Sequence, residues 1–258
     1  MEDPNRKGDP RALATEEQIT VRRAAKGNID GLIRITRECF PDHIPWQVSF
    51  LARRYWEGIL KSPSCETWIW LSNGEAKGFS QILIDVAAWI EERRRLENGF
   101  LVLAARLFGL VAQPWLIVRK IQKKIRVAQY KKKHQPEYDE SCTSRIRKGS
   151  ERADPNPLDS APICYGGIHL HSGDLIWVER VGILRSCRKL GLAVQIVRFS
   201  EERAMKLGRN AIYGVIEAIN EQWCWLHERF GYVVTHSEGG RHTYTKILDN
   251  KGFEGGNP

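Results

Sequence analysis

The sequence is poor in the features that would place it outside a cell or around a metal ion. Its six cysteines, Cys39, Cys65, Cys142, Cys164, Cys187 and Cys224, lie far apart with no C-x-x-C pair, and no histidine-rich metal spacing accompanies them. They read as reduced, mostly buried thiols. The opening Met1-Glu2-Asp3-Pro4 lacks a basic region followed by an apolar one, which argues against a secretory leader. Both points lead to the expectation of a cytoplasmic protein without a metal. Acidic residues are outnumbered, 31 against 40 Lys and Arg, leaving a net charge of +9. That sign favours an anionic partner: a nucleotide cofactor, a nucleic acid or an acidic membrane face. With 258 residues, 42% hydrophobic and including nine Trp, the chain can bury the core of one large domain with an insertion, or of two small ones.

Residues 176–193 carry the densest local signal. Ile176, Val178, Val181 and Ile183 are β-branched and strand-like, and a turn-like Arg185-Ser186-Cys187 follows. Arg188-Lys189-Leu190-Gly191-Leu192-Ala193 then bring two cations and a glycine to the start of a helical pattern. That pattern runs through Ile196, Val197, Ser200, Ala204 and Leu207 to a stop at Gly208. Strand, basic glycine-containing loop and helix make an anion cradle suited to a pyrophosphate, and Gly191 lets the backbone approach the ligand. Further on, 210–219 reads as a buried strand, followed by Asn220, a short helix and Phe230-Gly231-Tyr232.

This array resembles the GNAT superfamily of acyl-CoA N-acyltransferases. The family pattern is Arg/Gln-x-x-Gly-x-Gly/Ala and, after a helix and a strand, Asn-x-x-Ala-x-x-Leu-Tyr-x-x-x-Gly-Phe. Here the first element is Arg188-x-x-Gly191-x-Ala193, and the second is Asn220-x-x-Trp223-x-x-Leu226-His227-x-x-x-Gly231-Tyr232. The resemblance implies a mixed, mostly antiparallel α/β sheet with flanking helices and acetyl-CoA, or another acyl-CoA, as co-substrate. It also implies a small amine as acceptor, with an amino sugar or a surface-polysaccharide intermediate as the expected class. It places Val181 and Ile183 on the strand whose backbone pairs with the pantetheine amides. It places the amides of Lys189, Leu190, Gly191, Leu192 and Ala193 on the pyrophosphate, with charge from Arg188 and Lys189, and Asn220 beside the cofactor arm. A helix N-cap is the alternative reading of Asn220.

Acylating an amine needs a base for the ammonium proton and an acid for the departing thiolate. Glu179, two residues before Val181 and therefore expected on the same face, is the candidate base; pairing with Arg180 or Arg185 is its alternative. Glu217, three residues before Asn220, is the runner-up, and His169 and His171 alternate on a strand. The acid departs from the family: His227 stands where the tyrosine would be, and an imidazole can protonate a thiolate or hydrogen-bond its sulfur. That substitution leaves room for a second class of function, a module that binds acyl-CoA without turning it over and is tethered to a membrane or nucleic acid.

Outside the motifs, 1–18 reads as a loose N-terminus and 19–87 as the first half of the domain. Ile19–Ala24 is an expected strand. Asn28 is expected to cap a helix bearing Ile29, Leu32, Ile33, Ile35 and Thr36. A second helix is expected over 47–60, with Phe50, Leu51, Tyr55, Ile59 and Leu60 apolar, and then a hairpin of Thr67–Leu71 with Phe79–Val86. Residues 161–248 form the acyl-CoA-binding half, closing in a hairpin of Tyr232–His236 with His242–Leu248, and 249–258 is a tail. The stretch 88–160 is an expected insertion with a flexible return loop over 134–160. Phe100–Val118 is nearly all apolar, and 119–133 carries eight cations and no acid. A single membrane crossing there would separate two halves that must share one sheet. A helical hairpin packed on its own domain or on a second subunit remains, as does an interfacial helix whose cations meet anionic headgroups on the inner membrane face. Nucleic acid is the least favoured partner, because only Tyr130 could stack on a base.

Overall fold

In the computed structural model, which describes residues 18–41, 43–97, 115–134, 163–165, 168–170, 175–238 and 240–248, the chain starts with β1 (Ile19–Arg23), α1 (Ile29–Cys39), α2 (Ile44–Gln47) and α3 (Ser49–Ile59). Then come β2 (Cys65–Ser72), β3 (Glu75–Leu83), α4 (Val86–Glu97), α5 (Trp115–His134), and the ribbon of β4 (Ile163–Tyr165) with β5 (Ile168–Leu170). The second half runs β6 (Leu175–Ile183), α6 (Leu192–Lys206), β7 (Ala211–Glu217), α7 (Glu221–Arg229), β8 (Val233–Glu238) and β9 (Arg241–Ile247). Seven strands form one sheet in the order β1-β2-β3-β6-β7-β9-β8, antiparallel throughout except for β6 with β7. This is the mixed, mostly antiparallel sheet with flanking helices that the GNAT resemblance implies.

Both faces of the sheet are covered. On one, α1 buries Ile29, Leu32, Ile33, Ile35 and Thr36, the stripe its periodicity predicts, against β3 and β6. Thr36 satisfies its buried hydroxyl by donating to the carbonyls of Leu32 (2.9 Å) and Ile33 (3.0 Å). Close seating of α1 requires a residue without a side chain at Gly182, where a Cβ would lie 2.8 Å from Ile35 Cγ2 and 2.4 Å from the Phe79 ring. On the other face, α6 and α7 bury Val197, Ala204 and Leu226 with Ile82, Ile212, Tyr232 and Tyr244. Each fully buried side chain of this size contributes about 1.5–3 kcal/mol.

Local expectations fail where a neighbour in space decides. Asn28 does not cap α1; its Oδ1 accepts the Ala25 N–H (3.0 Å) and closes a 3-10 turn before the helix. The helix expected over 47–60 is α3, which buries Leu51, Tyr55 and Ile59 as expected and is set off from α2 by Val48, whose backbone is extended (φ −89°, ψ 113°). With α3 starting at Ser49, Ala52 and Trp56 take the inner face and Phe50 is left 57% exposed. The second hairpin strand stops at Leu83, because Val86 instead opens α4, which sends Val86 and Trp89 into the core. The expected boundary at 88 therefore falls inside a helix that packs on the sheet. Residues 98–114 and 135–162, most of the expected insertion, lie outside the described residues, as do 1–17 and 249–258. No described helix is long and apolar enough to cross a membrane.

Candidate functional site

Two parallel strands at the centre of the sheet part company. β6 and β7 pair from Leu175 with Ala211 to Val178 with Gly214, and no further. Beyond that point β6 runs on to Ile183 bonded to β3, and β7 runs on to Glu217 bonded to β9. The edges of Val181 and Ile183 that would face β7 thus border a cleft rather than a ladder. At its floor Trp177 and Tyr213 stack, with ring centroids 5.4 Å apart.

The cradle lies at the same end of β6. Residues Arg185–Leu190, read from the sequence as a loop, form a 3-10 turn, and Gly191 follows at φ 69°, ψ 9°. Only glycine takes that left-handed conformation without strain, and a Cβ there would meet no atom of the protein within 4 Å. The space above Gly191 is open. The first bond of α6 joins the Gln195 N–H to the Gly191 carbonyl (3.2 Å). The amides of Leu192, Ala193 and Val194 accordingly have no carbonyl within the helix, and they sit at its positive end. Leu192 is fully buried and anchors the turn, whereas Arg188 is exposed. The turn already holds one anion of its own, since the Glu38 carboxylate accepts the Arg185 N–H. Cys39 ties α1 to the strand end by donating to the Ile183 carbonyl (3.2 Å), and burial pushes its thiol pKa up. The backbone of Lys189 and Leu190 belongs to this turn.

Glu179 is placed differently from its expected position. β3 pairs Gln81 with Arg180 and Ile82 with Val178, so Glu179 is the extra residue of a β-bulge. The bulge breaks the two-residue alternation: Arg180 lies opposite Gln81 and Val181 opposite Ser80, on opposite faces. Glu179 turns with Arg180 toward α3 and α4, away from the face of Val181. Its side chain is only 5% exposed, and Oε1 takes both Arg93 (2.8 Å) and Arg180 (3.1 Å). Arg180 also donates to the Tyr55 hydroxyl and to Gln81 Oε1 (3.4 Å), and its guanidinium lies 5.0 Å from the Trp46 ring centre. The anticipated pairing with Arg180 is present; that with Arg185 is not among the described ion pairs. Among the polar atoms buried without a partner on this face are Glu179 Oε2, Trp177 Nε1 and the Tyr213 hydroxyl. Burial, and secondarily the Glu179 charge, push the Tyr213 phenol well above its ordinary pKa.

His227 lies on the other face, among Trp223, Tyr232 and Tyr244, with ring centroids 5.4, 4.8 and 5.6 Å away. Its Nδ1 is 2.8 Å from the Trp223 carbonyl, which can only accept, so Nδ1 carries the proton. Burial lowers the ring's pKa, partly offset by that hydrogen bond. A neutral ring with its N–H committed presents Nε2 as an acceptor. The two catalytic candidates do not meet; the cleft lies between them.

Asn220 stands at the N-cap of α7, where its carbonyl receives the N–H groups of Trp223 (3.0 Å) and Cys224 (3.1 Å). Its side chain makes no capping bond and is exposed. Glu217 is engaged by Lys123 of α5 (2.7 Å). His169 falls within β5 opposite Cys164, and His171 lies outside the described residues. Reading the sequence missed Arg93, whose partner is 86 residues away, and the ring cluster of Trp46 and Tyr55. A Glu-Arg pair inside an apolar strand was the available signal. Among the described residues, no group of three or more His, Cys, Asp or Glu could hold a metal.

No protein-family model matches the chain, and no curated protein matches it. Among solved structures, an N-acetyltransferase from Staphylococcus aureus superposes with a TM-score of 0.49 at 13% identity, covering 90% of this chain and 99% of its own. An acetyltransferase from Thermus thermophilus gives 0.49 at 9% identity, covering 90% and 97%. An aminoglycoside N-acetyltransferase in complex with CoA gives 0.47 at 13%, covering 85% and 91%. The functional reading is carried by this chain's own strand order, cleft and motif positions rather than by these likenesses.

Proposed function

We propose that the protein is an acyl-CoA-dependent N-acyltransferase of the GNAT type, with acetyl-CoA as donor and a small amine as acceptor. The observation that carries this reading is the parting of β6 from β7 beside the amide-lined start of α6. The free edges at Val181 and Ile183 suit the amides of a pantetheine arm. The amides at the start of α6, with Arg188 and Lys189, suit a pyrophosphate. The exposed side chain of Asn220, at the end of β7, is free to contact the arm. Bound there, acyl-CoA supplies an acyl carbon that leaves sulfur for the acceptor nitrogen. Glu179 Oε2, buried and unpartnered, is the oxygen available to take the ammonium proton. His227 protonates the departing thiolate only after Nε2 has itself taken a proton, because its other N–H is committed to Trp223. An amino sugar or surface-polysaccharide intermediate is the acceptor class we favour.

The neutral, tied His227 gives some support to a second reading, a module that binds acyl-CoA without turnover. Calorimetry and thiol release separate the two. The parent should bind CoA, and Gly191→Asp should weaken it by about a hundredfold through charge repulsion at the cradle. Gly191→Asn, which tolerates the same left-handed backbone without the charge, should weaken it less. Unchanged affinity in a folded Gly191→Asp variant would remove the cradle. Thiol release from acetyl-CoA with any of a set of amino sugars, polyamines, amino acids and peptides establishes the enzyme; CoA binding without release from any of them establishes the module.

A further inference from the structure

Helix α5 is joined to the sheet along one side and open along the other. Lys123 holds Glu217, and Val127 and Tyr130, four and seven residues on, share that side and are half-buried. Opposite them Val118, Ile121 and Ile125 form one stripe, at 53, 52 and 50% exposure. Lys132 extends the same stripe, and exposed Arg119, Lys124 and Arg126 flank it. Near the start of the helix, Trp115 is 42% exposed with the Arg119 guanidinium 4.4 Å over its ring. The 20 residues of α5 contain no acid. The outer face of a surface helix is ordinarily polar. An open apolar row bordered by cations and by the neutral Gln122 and Gln129, with no acid on the helix, is instead the pattern of a helix lying in the plane of a lipid interface.

We propose that α5 docks the protein on an anionic lipid surface, with Val118, Ile121 and Ile125 entering the acyl boundary and Arg119, Lys124, Arg126 and Lys132 meeting the headgroups. The charge selects this occupant. A second copy would bring the same cations against one another on a chain of net charge +9. A nucleic acid would face an aliphatic row, while Tyr130, the only ring between Trp115 and the end of the helix, lies on the inner side. Lys123 is excluded from the lipid-facing set because it is bound to Glu217.

The full chain is sedimented with vesicles of phosphatidylcholine containing about one-third phosphatidylglycerol, and with phosphatidylcholine alone, over a range of salt. The protein should pellet with the anionic vesicles at low salt, stay in solution with the neutral ones, and be released by about 1 M salt, where the screening length is about 3 Å. Lys124→Glu/Arg126→Glu/Lys132→Glu should weaken partition by at least a hundredfold, each cation contributing about fivefold. Ile121→Ser/Ile125→Ser should weaken it about tenfold and keep the salt dependence. All five positions are exposed, and an unchanged thermal transition shows that each variant is folded. No sedimentation at low salt, or equal sedimentation with neutral vesicles, overturns the proposal. So does a concentration-dependent dimer that Ile121→Ser/Ile125→Ser abolishes, which would give the face to a second copy.

Discussion

On either side of the β6–β7 cleft one titratable group is buried, and the two are buried in different ways. Glu179, on the α3–α4 side, is surrounded by charge: two guanidinium groups share one of its oxygens, and Arg180 is in turn held by Tyr55, Gln81 and the Trp46 ring. His227, on the α6–α7 side, is surrounded by rings and one backbone carbonyl, with no ion pair to it among the described contacts. Glu179 keeps one oxygen ion-paired and the other without a partner, whereas the unpaired buried imidazole is driven neutral. The neutral His227 ring, its Nδ1–H committed to Trp223, presents Nε2 as an acceptor. The difference between them lies in what happens when a neighbour is removed.

The comparison breaks hardest at Glu179. Glu179→Gln preserves shape and removes the acceptor, so kcat should fall about 10²–10³-fold with little change in KM for acyl-CoA. A residue serving only as an ion-pair partner would cost stability and leave the pH–rate profile of the residual activity unmoved. Next is Arg180→Ala, which leaves the Glu179 charge buried with one guanidinium and strips a cation from Trp46. It should cost about 3 kcal/mol, seen as a fall in Tm of about 10 °C. A variant that melts with the parent would show that the cluster is solvated rather than buried. On the other side the effects are smaller. His227→Ala should lower kcat about tenfold while CoA affinity holds, and His227→Tyr, which supplies the phenol that the GNAT pattern carries at this position, should retain activity. Parental turnover in the alanine variant would make His227 a packing residue.

The smallest effect is a pH dependence of stability. The unfolded chain protonates His227 near the ordinary value of 6.5, while the buried ring does so only at lower pH. Stability should therefore fall as pH drops below about 6.5 and level off once the folded ring is protonated too. His242, also lowered by burial, acts in the same direction. The His227 share is thus the difference between parent and His227→Gln, whose melting temperature should fall less between about pH 7 and pH 5. Parallel curves would show that the ring is not withheld from protons.

How much of this was legible in advance depends on how local each feature is. The turn from Ile183 to Leu192 was legible because a strand pattern, a glycine that must take a positive φ and a helical pattern follow one another directly. The α1 stripe was legible for the same reason, since its period faces one surface. The face of Glu179 was not. It depends on a bulge fixed by the register of β6 against β3, about a hundred residues earlier in the chain. Phe50 was misplaced because it lies on the side of the helix opposite the stripe of Leu51, Tyr55 and Ile59 that enters the core. The engagement of Glu217 depends on where α5 comes to rest after a long excursion.

Sequence by itself therefore determined the kind of chain this is. It specified a basic protein with a glycine turn at a helix start, an asparagine one element later, and a cation-rich segment without acids, because composition and short-range periodicity are properties of neighbours in the chain. Tertiary structure alone decided how the groups beside the cleft are held: that β6 and β7 separate after Val178, that Glu179 turns away from Val181 with two arginines on one oxygen, and that His227 donates its Nδ1–H to the Trp223 carbonyl. Those outcomes depend on strand register and burial, which arise only when distant segments are brought together, and burial is what sets the protonation on which the proposed chemistry depends.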